Sequence, residues 1–311
     1  FQAVLTTGRL RQRLLRGTLR LYQRSGLQSA VRPRLRGRLG RLEGMLPALP
    51  PARRLPESLP APAGSHDWVG LFTGCTGDLF DADTLTAAAR VLNRLGFGVR
   101  VPREQGCCGA LDLAAGDAGA ARDKARVNAA AFEPEALQAV IGVASGCTAA
   151  LREAGEWADA IEGAGALAGR VEDIVAFLSR IEWPEGLTPA PLTGPVAIHE
   201  PCSLRNVLKA GGATARLLGR IPTFEPVPLP AGCCGAGGSH VLRHPEAADA
   251  LRAETLEAVA ESGARTLVSA NIGCALHLAA GLRETGIDCE VLHPVTLLDR
   301  QLAAAGAYNQ G

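Results

Sequence analysis

At 311 residues, the chain is long enough for two domains of ordinary size, each with its own hydrophobic core. Its 47% hydrophobic and 20% charged residues exclude a disordered chain, and no apolar run reaches the roughly 20 residues that a membrane-spanning helix needs. The net charge of +1 hides an asymmetry, because residues 1–60 hold 13 arginines against two glutamates, which leaves the remainder about 10 units negative.

Residues 1–64 form a basic segment in which leucines recur at helical spacing among the arginines, as at Leu10, Leu14 and Leu19. This pattern predicts one or two amphipathic helices, and the prolines between Pro47 and Pro62 predict an extended linker. A basic helix of this kind suits an acidic partner subunit or anionic lipid headgroups, whereas a solvated helix lying over the domain is the competing interpretation. Nucleic acid is not an expected partner, because interleaved aromatic residues are missing.

After the linker, short apolar runs alternate with helical patterns, which is typical of parallel α/β units. Leu85, Ala88 and Leu92 share one face of a helix predicted near residues 79–95. Strand-like runs cover residues 68–72, 98–101, 139–143, 196–199, 224–229, 266–270 and 289–293.

Eight of the nine cysteines form two sets with nearly identical spacing. The first set is Cys75, Cys107, Cys108 and Cys147, and the second, displaced by 126 or 127 residues, is Cys202, Cys233, Cys234 and Cys274. The run Gly-Cys-Cys-Gly-Ala occurs in both, at residues 106–110 and 232–236. This internal duplication predicts two pseudo-symmetric, Rossmann-like parallel-sheet domains at residues 65–190 and 191–311, preceded by the basic helical segment at 1–64.

The strand-end cysteines of each set are expected at the carboxyl edge of a parallel sheet, near helix N-termini that favour thiolates. Four converging thiolates suit an iron–sulfur cluster or a structural zinc ion. Buried core thiols, disulfides and catalytic thiols are the other interpretations. The matched vicinal pairs weigh against buried core thiols, and the missing secretion signals, which indicate a reducing compartment, weigh against disulfides. Cys289 has no counterpart in the repeat and is predicted to be a core residue.

The paired Cys-Cys-Gly pattern resembles the CCG domain found in the heterodisulfide reductase family, in lactate utilization proteins and in the glycolate oxidase iron–sulfur subunit. The likeness to the last is carried by Gly-Cys-Cys-Gly-Ala-Leu at 106–111, His-Glu-Pro-Cys at 199–202 and Ser-Ala-Asn-Ile-Gly-Cys at 269–274, and extends over residues 18–302. The resemblance implies one or two 4Fe-4S clusters held by the eight paired cysteines. It further implies electron transfer from an FAD-containing 2-hydroxyacid dehydrogenase subunit towards quinone or another carrier.

Two features depart from that family. Ala144 and Asn271 replace the first cysteine of a closing Cys-x-x-Cys, so each set has four cysteines instead of the five of the heterodisulfide reductase type. This disfavours the first alternative function, which is thiol–disulfide catalysis at a cluster. The second alternative is a structural subunit whose fold is held together by zinc. A ferredoxin-like cysteine run, usual in the glycolate oxidase subunit, has no counterpart before Cys75.

His199 and His240 fall near the second cysteine set. Each is a candidate for a hydrogen bond to a cluster sulfur, for a metal ligand or for a proton relay, and a histidine satisfied by backbone carbonyls is the competing interpretation. No nucleotide-binding fingerprint is found, so the flavin is expected on a partner. Lacking secretion signals, the protein is predicted to be cytoplasmic, with the membrane surface as a further contact.

Overall fold

The basic N-terminal segment is helical and lies against the rest of the protein. The computed structural model describes residues 9–49, 55–62, 67–133 and 136–306, and the predicted boundary between residues 64 and 65 lies outside these ranges. The segment contains α1 (Arg9–Arg24), α2 (Leu27–Val31), a 3-10 turn (Arg32–Arg34) and α3 (Gly37–Gly44).

This segment contacts both halves of the molecule. The buried guanidinium of Arg16 in α1 donates a hydrogen bond to the carbonyl of Leu79 in the first half. In α3, Arg41 forms an ion pair with Asp249 of the second half. Leu14 and Leu21, by contrast, are 64% and 69% exposed, so α1 turns one face to the protein and keeps two exposed leucines on the other.

The first half is built on a five-stranded sheet with helices between the strands. Its strands are β1 (Ser58–Leu59), β2 (Trp68–Phe72), β3 (Gly98–Arg100), β4 (Ala139–Gly142) and β5 (Val171–Asp173), in the order β1-β3-β2-β4-β5. Only the edge strand β1 is antiparallel. Its helices are α4 (Gly74–Phe80), α5 (Ala82–Arg94), α6 (Ala110–Ala114), α7 (Ala118–Phe132), α8 (Ser145–Trp157), α9 (Ala164–Arg170) and α10 (Ile174–Arg180).

The second half repeats this design with a four-stranded, fully parallel sheet. Its strands are β6 (Pro195–His199), β7 (Glu225–Pro228), β8 (Thr266–Ser269) and β9 (Glu290–Leu292), in the order β7-β6-β8-β9. A π-helical turn (Ser203–Val207) follows β6, and the helices are α11 (Ala213–Leu218), α12 (His240–Arg243), α13 (Pro245–Ser262), α14 (Ile272–Thr285) and α15 (Pro294–Ala304).

The two sheets have the same strand order once the edge strand β1 is set aside. In the first sheet β2 lies between β3 and β4, and in the second sheet β6 lies between β7 and β8. The strand order therefore reverses beside β2 and β6. The central strands β2, β4, β6 and β8 are mostly buried, as expected for parallel strands covered on both faces. The predicted pair of parallel α/β domains is therefore confirmed.

One continuous hydrophobic core joins the two halves. It contains Leu92 of α5 and Phe177 of α10 together with Leu217 of α11 and Leu298 of α15, all fully buried. Polar contacts flank it, since the hydroxyl oxygens of Thr84 and Thr296 lie 3.1 Å apart. The repeats are thus packed as a single body. Where the repeats and the N-terminal segment divide in sequence stays a prediction.

The predicted elements agree with the structure except in four places. The described part of the basic segment holds three helices and a 3-10 turn where one or two helices are expected. The helix expected near residues 79–95 is two helices, because the chain turns at Asp81 (φ −131°, ψ 35°) between α4 and α5. Strand β5 was not predicted, since three residues are too few to show a pattern. Ser58 and Leu59, inside the predicted linker, pair with β3 as an edge strand.

Candidate metal centres

Two cysteines of each set follow the two central strands of a sheet. Cys75 and Cys147 lie in the first turns of α4 and α8, directly after β2 and β4. Cys202 precedes the π-helical turn after β6, and Cys274 lies in the first turn of α14 after β8. The strand order reverses at these positions, which opens a crevice at the carboxyl edge, and the N–H groups of the first helical turns favour negative charge there.

Each vicinal pair lies in the loop after the neighbouring strand. Cys107 and Cys108 follow β3 and are both buried, whereas Cys233, which follows β7, is exposed and Cys234 is buried. Each loop brings its pair to the edge where the strand-end cysteines lie.

The glycine after each pair allows the loop to turn. Gly109 and Gly235 have left-handed backbones, with φ of 83° and 80°, which side chains rarely adopt. A Cβ atom on Gly235 would lie 2.3 Å from the carbonyl oxygen of Ala248. Any larger residue at this position would displace the loop from α13.

In the first set, the four sulfurs converge in a buried site. The Sγ atoms of Cys75 and Cys107 are 3.5 Å apart, and Cys108 and Cys147 contact each other. Hydrogen bonds from Cys108 and Cys75 lower the pKa of Cys107 to about 3, with help from the N–H of Gly109 and against the effect of burial. The pKa of Cys108 is raised by its hydrogen bonds with Cys107 and Cys147 and by burial, so Cys107 is the favoured thiolate among neighbouring thiols.

Two buried amide side chains hold this loop, and sequence reasoning missed both. Asn128 of α7 accepts a hydrogen bond from the N–H of Gly106 and donates one to the carbonyl of Cys107, both 2.9 Å long. Gln105 accepts from the N–H of Thr73 at 2.8 Å and donates to Leu71 at 3.0 Å. A sequence signal existed for Asn128, because it interrupts an alanine-rich buried face of α7.

In the second set, the sulfurs of Cys234 and Cys274 share a hydrogen bond and lie 2.8 Å apart. This bond lowers the pKa of Cys234 to about 4, and His199 acts in the same direction while burial opposes it. Cys202 lies close enough to Cys233 and Cys234 for their negative charge to raise its pKa, after the larger effect of its burial. The Nδ2 atom of Asn271 donates to Cys274 Sγ at 3.4 Å.

The two candidate histidines differ in position. A ring nitrogen of buried His199 lies within 4.8 Å of the sulfurs of Cys234 and Cys274, and these two sulfurs are within the same distance of each other. His240 is half-buried, and its ring lies 5.0 Å from that of His244, between centroids. Among the described residues, the potential metal-binding group includes His199 and not His240. Cys289, predicted to be a core residue, is half-buried and packs against the edge of the core of the second half.

The two cysteine sites meet where the halves touch. The N–H of Ser145, two residues before Cys147, donates to the carbonyl of Ala270 at 3.0 Å. Its hydroxyl lies 2.7 Å from that of Ser203, the neighbour of Cys202. The first turn of α8 is therefore in direct contact with Ser203, which follows Cys202, and with Ala270, which lies four residues before Cys274.

The donor atoms of both sites fit a thiophilic metal group. Each site offers four sulfurs, one of which is already stabilised as a thiolate, and soft thiolates select iron–sulfur clusters or zinc. The 3.5 and 2.8 Å sulfur separations are those of thiols in contact, so these side chains must part when a metal group binds.

Comparison with known proteins agrees with the duplication. The family model of the cysteine-rich domain, CCG, matches the chain twice, at residues 69–152 and 196–279.

Among the described residues, each helix falls short of the length and hydropathy needed to cross a membrane.

Several curated proteins are similar to the chain. The probable glycolate oxidase iron-sulfur subunit of Bacillus subtilis is 31% identical over 303 residues, which are 92% of this chain and 67% of that protein. The glycolate oxidase iron-sulfur subunit of Escherichia coli is 33% identical over 239 residues, 75% of this chain and 57% of that one. Lactate utilization protein A of Macrococcus caseolyticus is 28% identical over 247 residues, 76% and 98% of the two chains. The chain belongs to the family of cysteine-rich CCG-domain proteins that includes these glycolate oxidase iron-sulfur subunits.

Proposed function

We propose that this protein is the iron–sulfur electron-transfer subunit of a flavin-dependent 2-hydroxyacid dehydrogenase complex of the glycolate or lactate type. The observation that carries the proposal is the pair of four-thiol sites at equivalent sheet edges, in a chain whose relatives are named glycolate oxidase iron-sulfur subunits. The chain spans 67% and 57% of the length of those two relatives.

Each site is proposed to hold one 4Fe-4S cluster. The ligands would be Cys75, Cys107, Cys108 and Cys147 at the first site, and Cys202, Cys233, Cys234 and Cys274 at the second. A bound cluster of this kind supplies one-electron transfer. The polypeptide contributes thiolates of low pKa at Cys107 and Cys234, helix N-termini that favour their negative charge, and a largely buried setting.

The contact between the halves supports exchange of electrons between the two sites. Ser145 joins the first turn of α8 to Ala270 through the backbone and to Ser203 through the two hydroxyls. The ligands Cys147, Cys202 and Cys274 each lie within a few residues of these contacts. A short protein path therefore links the first site to the second.

The partner would be an FAD-containing subunit, on which the 2-hydroxy acid is oxidised, because the chain has no nucleotide-binding fingerprint of its own. Electrons would leave towards quinone or another carrier. We place the protein in the cytoplasm, at the inner face of the membrane. The basic N-terminal segment supports a peripheral contact, since Leu14 and Leu21 are exposed beside many arginines.

Thiol–disulfide chemistry at a cluster has less support. The positions of the additional cysteine are taken by Ala144, which is buried at the start of α8, and by Asn271, whose amide is engaged with Cys274. Each site is left with four thiols, which is the number that an ordinary four-iron cluster requires.

The first test is the content of iron, acid-labile sulfide and zinc in anaerobically purified protein, with electron paramagnetic resonance (EPR) on the reduced sample. We expect about eight irons with matching sulfide and no zinc. Zinc without sulfide would refute the electron-transfer function and leave a structural subunit. A second test mixes the loaded protein with the flavoprotein subunit, and glycolate or lactate should then reduce the clusters.

A further inference from the structure

His199 occupies the carboxyl end of β6, three residues before Cys202. Its side chain is 4% exposed. A ring nitrogen, Cys234 Sγ and Cys274 Sγ all lie within 4.8 Å of one another, which is close enough for small side-chain shifts to let all three bind one metal group. Buried polar groups without a partner are costly, so the position of this imidazole beside two sulfurs needs an explanation.

The two ring nitrogens of His199 are in different situations. Nδ1 lies 3.0 Å from the hydroxyl of Ser269, which is buried at the end of the neighbouring strand β8. Nε2 is buried and makes no hydrogen bond of ordinary length and angle among the described residues, but the ring is close enough to Cys234 to act as a hydrogen-bond partner and lower the pKa of that thiol. A metal-binding histidine commonly fixes its ring through one nitrogen and binds through the other, and the bond to Ser269 leaves Nε2 for binding.

The first repeat lacks this group. Phe72 ends β2, three residues before Cys75, as His199 ends β6 three residues before Cys202. Its ring is 2% exposed and packs over Gly74, where a Cβ atom would lie 3.1 Å from it. The same backbone position therefore presents a hydrocarbon ring to the first site and a nitrogen donor to the second.

We propose that His199 Nε2 is a metal ligand of the second site and takes the place of the exposed Cys233 among the four ligands named above, so that the second centre has mixed thiolate and imidazole ligation while the first has thiolates alone. The inference rests on the proposed iron–sulfur function and adds a chemical difference between the two centres. Imidazole in place of or beside thiolate reduces the negative charge around the iron.

The test is pulsed EPR on the reduced, anaerobically purified full chain, grown once with ordinary histidine and once with histidine labelled with ¹⁵N. We expect a strong nitrogen coupling that changes with the label. It should be lost in His199→Phe, which copies the first repeat, and kept in His240→Ala, the matched control. His199→Cys should keep the iron and lose the coupling.

Iron at both sites without a histidine coupling, or a coupling that persists in His199→Phe, would overturn the inference and leave the electron-transfer function intact. Zinc without iron or sulfide would instead refute the proposed function. In that case X-ray absorption at the zinc edge reads the ligands, and loss of a Zn–N contribution of about 2.0–2.1 Å in His199→Phe would support the ligand role, whereas zinc bound by sulfur alone would overturn it.

Discussion

The two cysteine sites share one scaffold and differ in what surrounds it. In the first site Cys107 and Cys108 are both buried, and Phe72 lines the edge with an apolar ring. In the second site Cys233 is exposed, and His199 with Asn271 brings polar groups to the sulfurs. Duplication therefore preserved the positions of the thiols and not their environment.

The contrast separates the features of the repeat that the fold requires from those that determine the environment of the sulfurs at each site. Both sites keep the strand order, the helix starts and the left-handed glycine after the vicinal pair. The loop supports differ, because Gln105 bridges the first loop to β2 and Ala231 stands at the corresponding place in the second loop. We expect the first site to be the more rigid and the second the more accessible.

The largest expected effect comes from removing one ligand of a single site. Cys234→Ser should remove the metal group of the second site and leave the first largely intact, because the two sets share no cysteine. Iron and sulfide content should fall to about half of the wild-type value. Cys289→Ser, which changes a half-buried cysteine outside both sets, is the control and should lose none. Equal loss from both sites would show that the repeats do not bind independently.

The next effect concerns two buried groups at equivalent helix starts. Asp173 ends β5 and accepts a hydrogen bond from the N–H of Val175 at 2.9 Å, while His293 follows β9 and accepts one from Val295 at 3.1 Å. Burial raises the pKa of Asp173 from 3.8 to about 7 and lowers that of His293 from 6.5 to about 3. At this pair of equivalent positions, the pH dependence of stability therefore has opposite signs in the two repeats.

The signs follow from proton binding. The contribution of Asp173 to stability is complete below pH 4 and is lost as the pH rises through about 7, whereas that of His293 is complete above pH 6.5 and is lost as the pH falls towards 3. Each amounts to at most about 4–5 kcal/mol. Between pH 4 and 6.5 the two slopes oppose each other, so urea unfolding over this range should show, relative to the wild type, a stability that rises with pH in Asp173→Asn and one that falls with pH in His293→Asn. An unchanged pH profile in both variants would contradict this account.

A smaller effect is expected at the support of the first loop. Asn128→Ala removes two buried hydrogen bonds to the backbone of Gly106 and Cys107, and the free energy of unfolding should fall by about 2–3 kcal/mol. Asn206→Ala, at an exposed position, should change it by less than about 0.5 kcal/mol. If both variants unfold at the same urea concentration, the first site does not owe its rigidity to this clamp.

Much of the architecture could be predicted because the signals were local. Continuous apolar runs marked the parallel strands, and the repeated Cys-Cys-Gly spacing marked the duplication. The convergence of Cys75 with Cys147, and of Cys202 with Cys274, followed from their places after neighbouring parallel strands. The identity of the bound metal is a chemical prediction and stays one.

The remaining features depended on contacts between distant segments. Asn128 lies 21 residues from the carbonyl that it binds, and Ser269 lies 70 residues from His199. Ser269 is not unusual at its position in the sequence, and the signal at Asn128, a polar residue in an alanine-rich helix, does not show which carbonyl it binds. The sequence could place His199 near the second set, but only the fold separates it from His240 and shows which nitrogen is free to bind.

The smallest effect concerns the reduction potential of the second centre, which the amide of Asn271 is expected to raise. This prediction rests on the proposal that the site holds an iron–sulfur cluster. The Asn271 amide donates to Cys274 Sγ at 3.4 Å, while Ala144 stands at the corresponding place before Cys147. A hydrogen bond to a ligand sulfur raises the reduction potential of a cluster, because it stabilises the more negative reduced state. One bond worth about 0.5–1.5 kcal/mol corresponds to about 20–65 mV for a single electron. EPR-monitored redox titration of Asn271→Ala should therefore show the second centre lowered by that amount and the first centre unchanged, with Asn206→Ala as the control. A shift of both centres, or of neither, would mean that the two environments are not tuned separately.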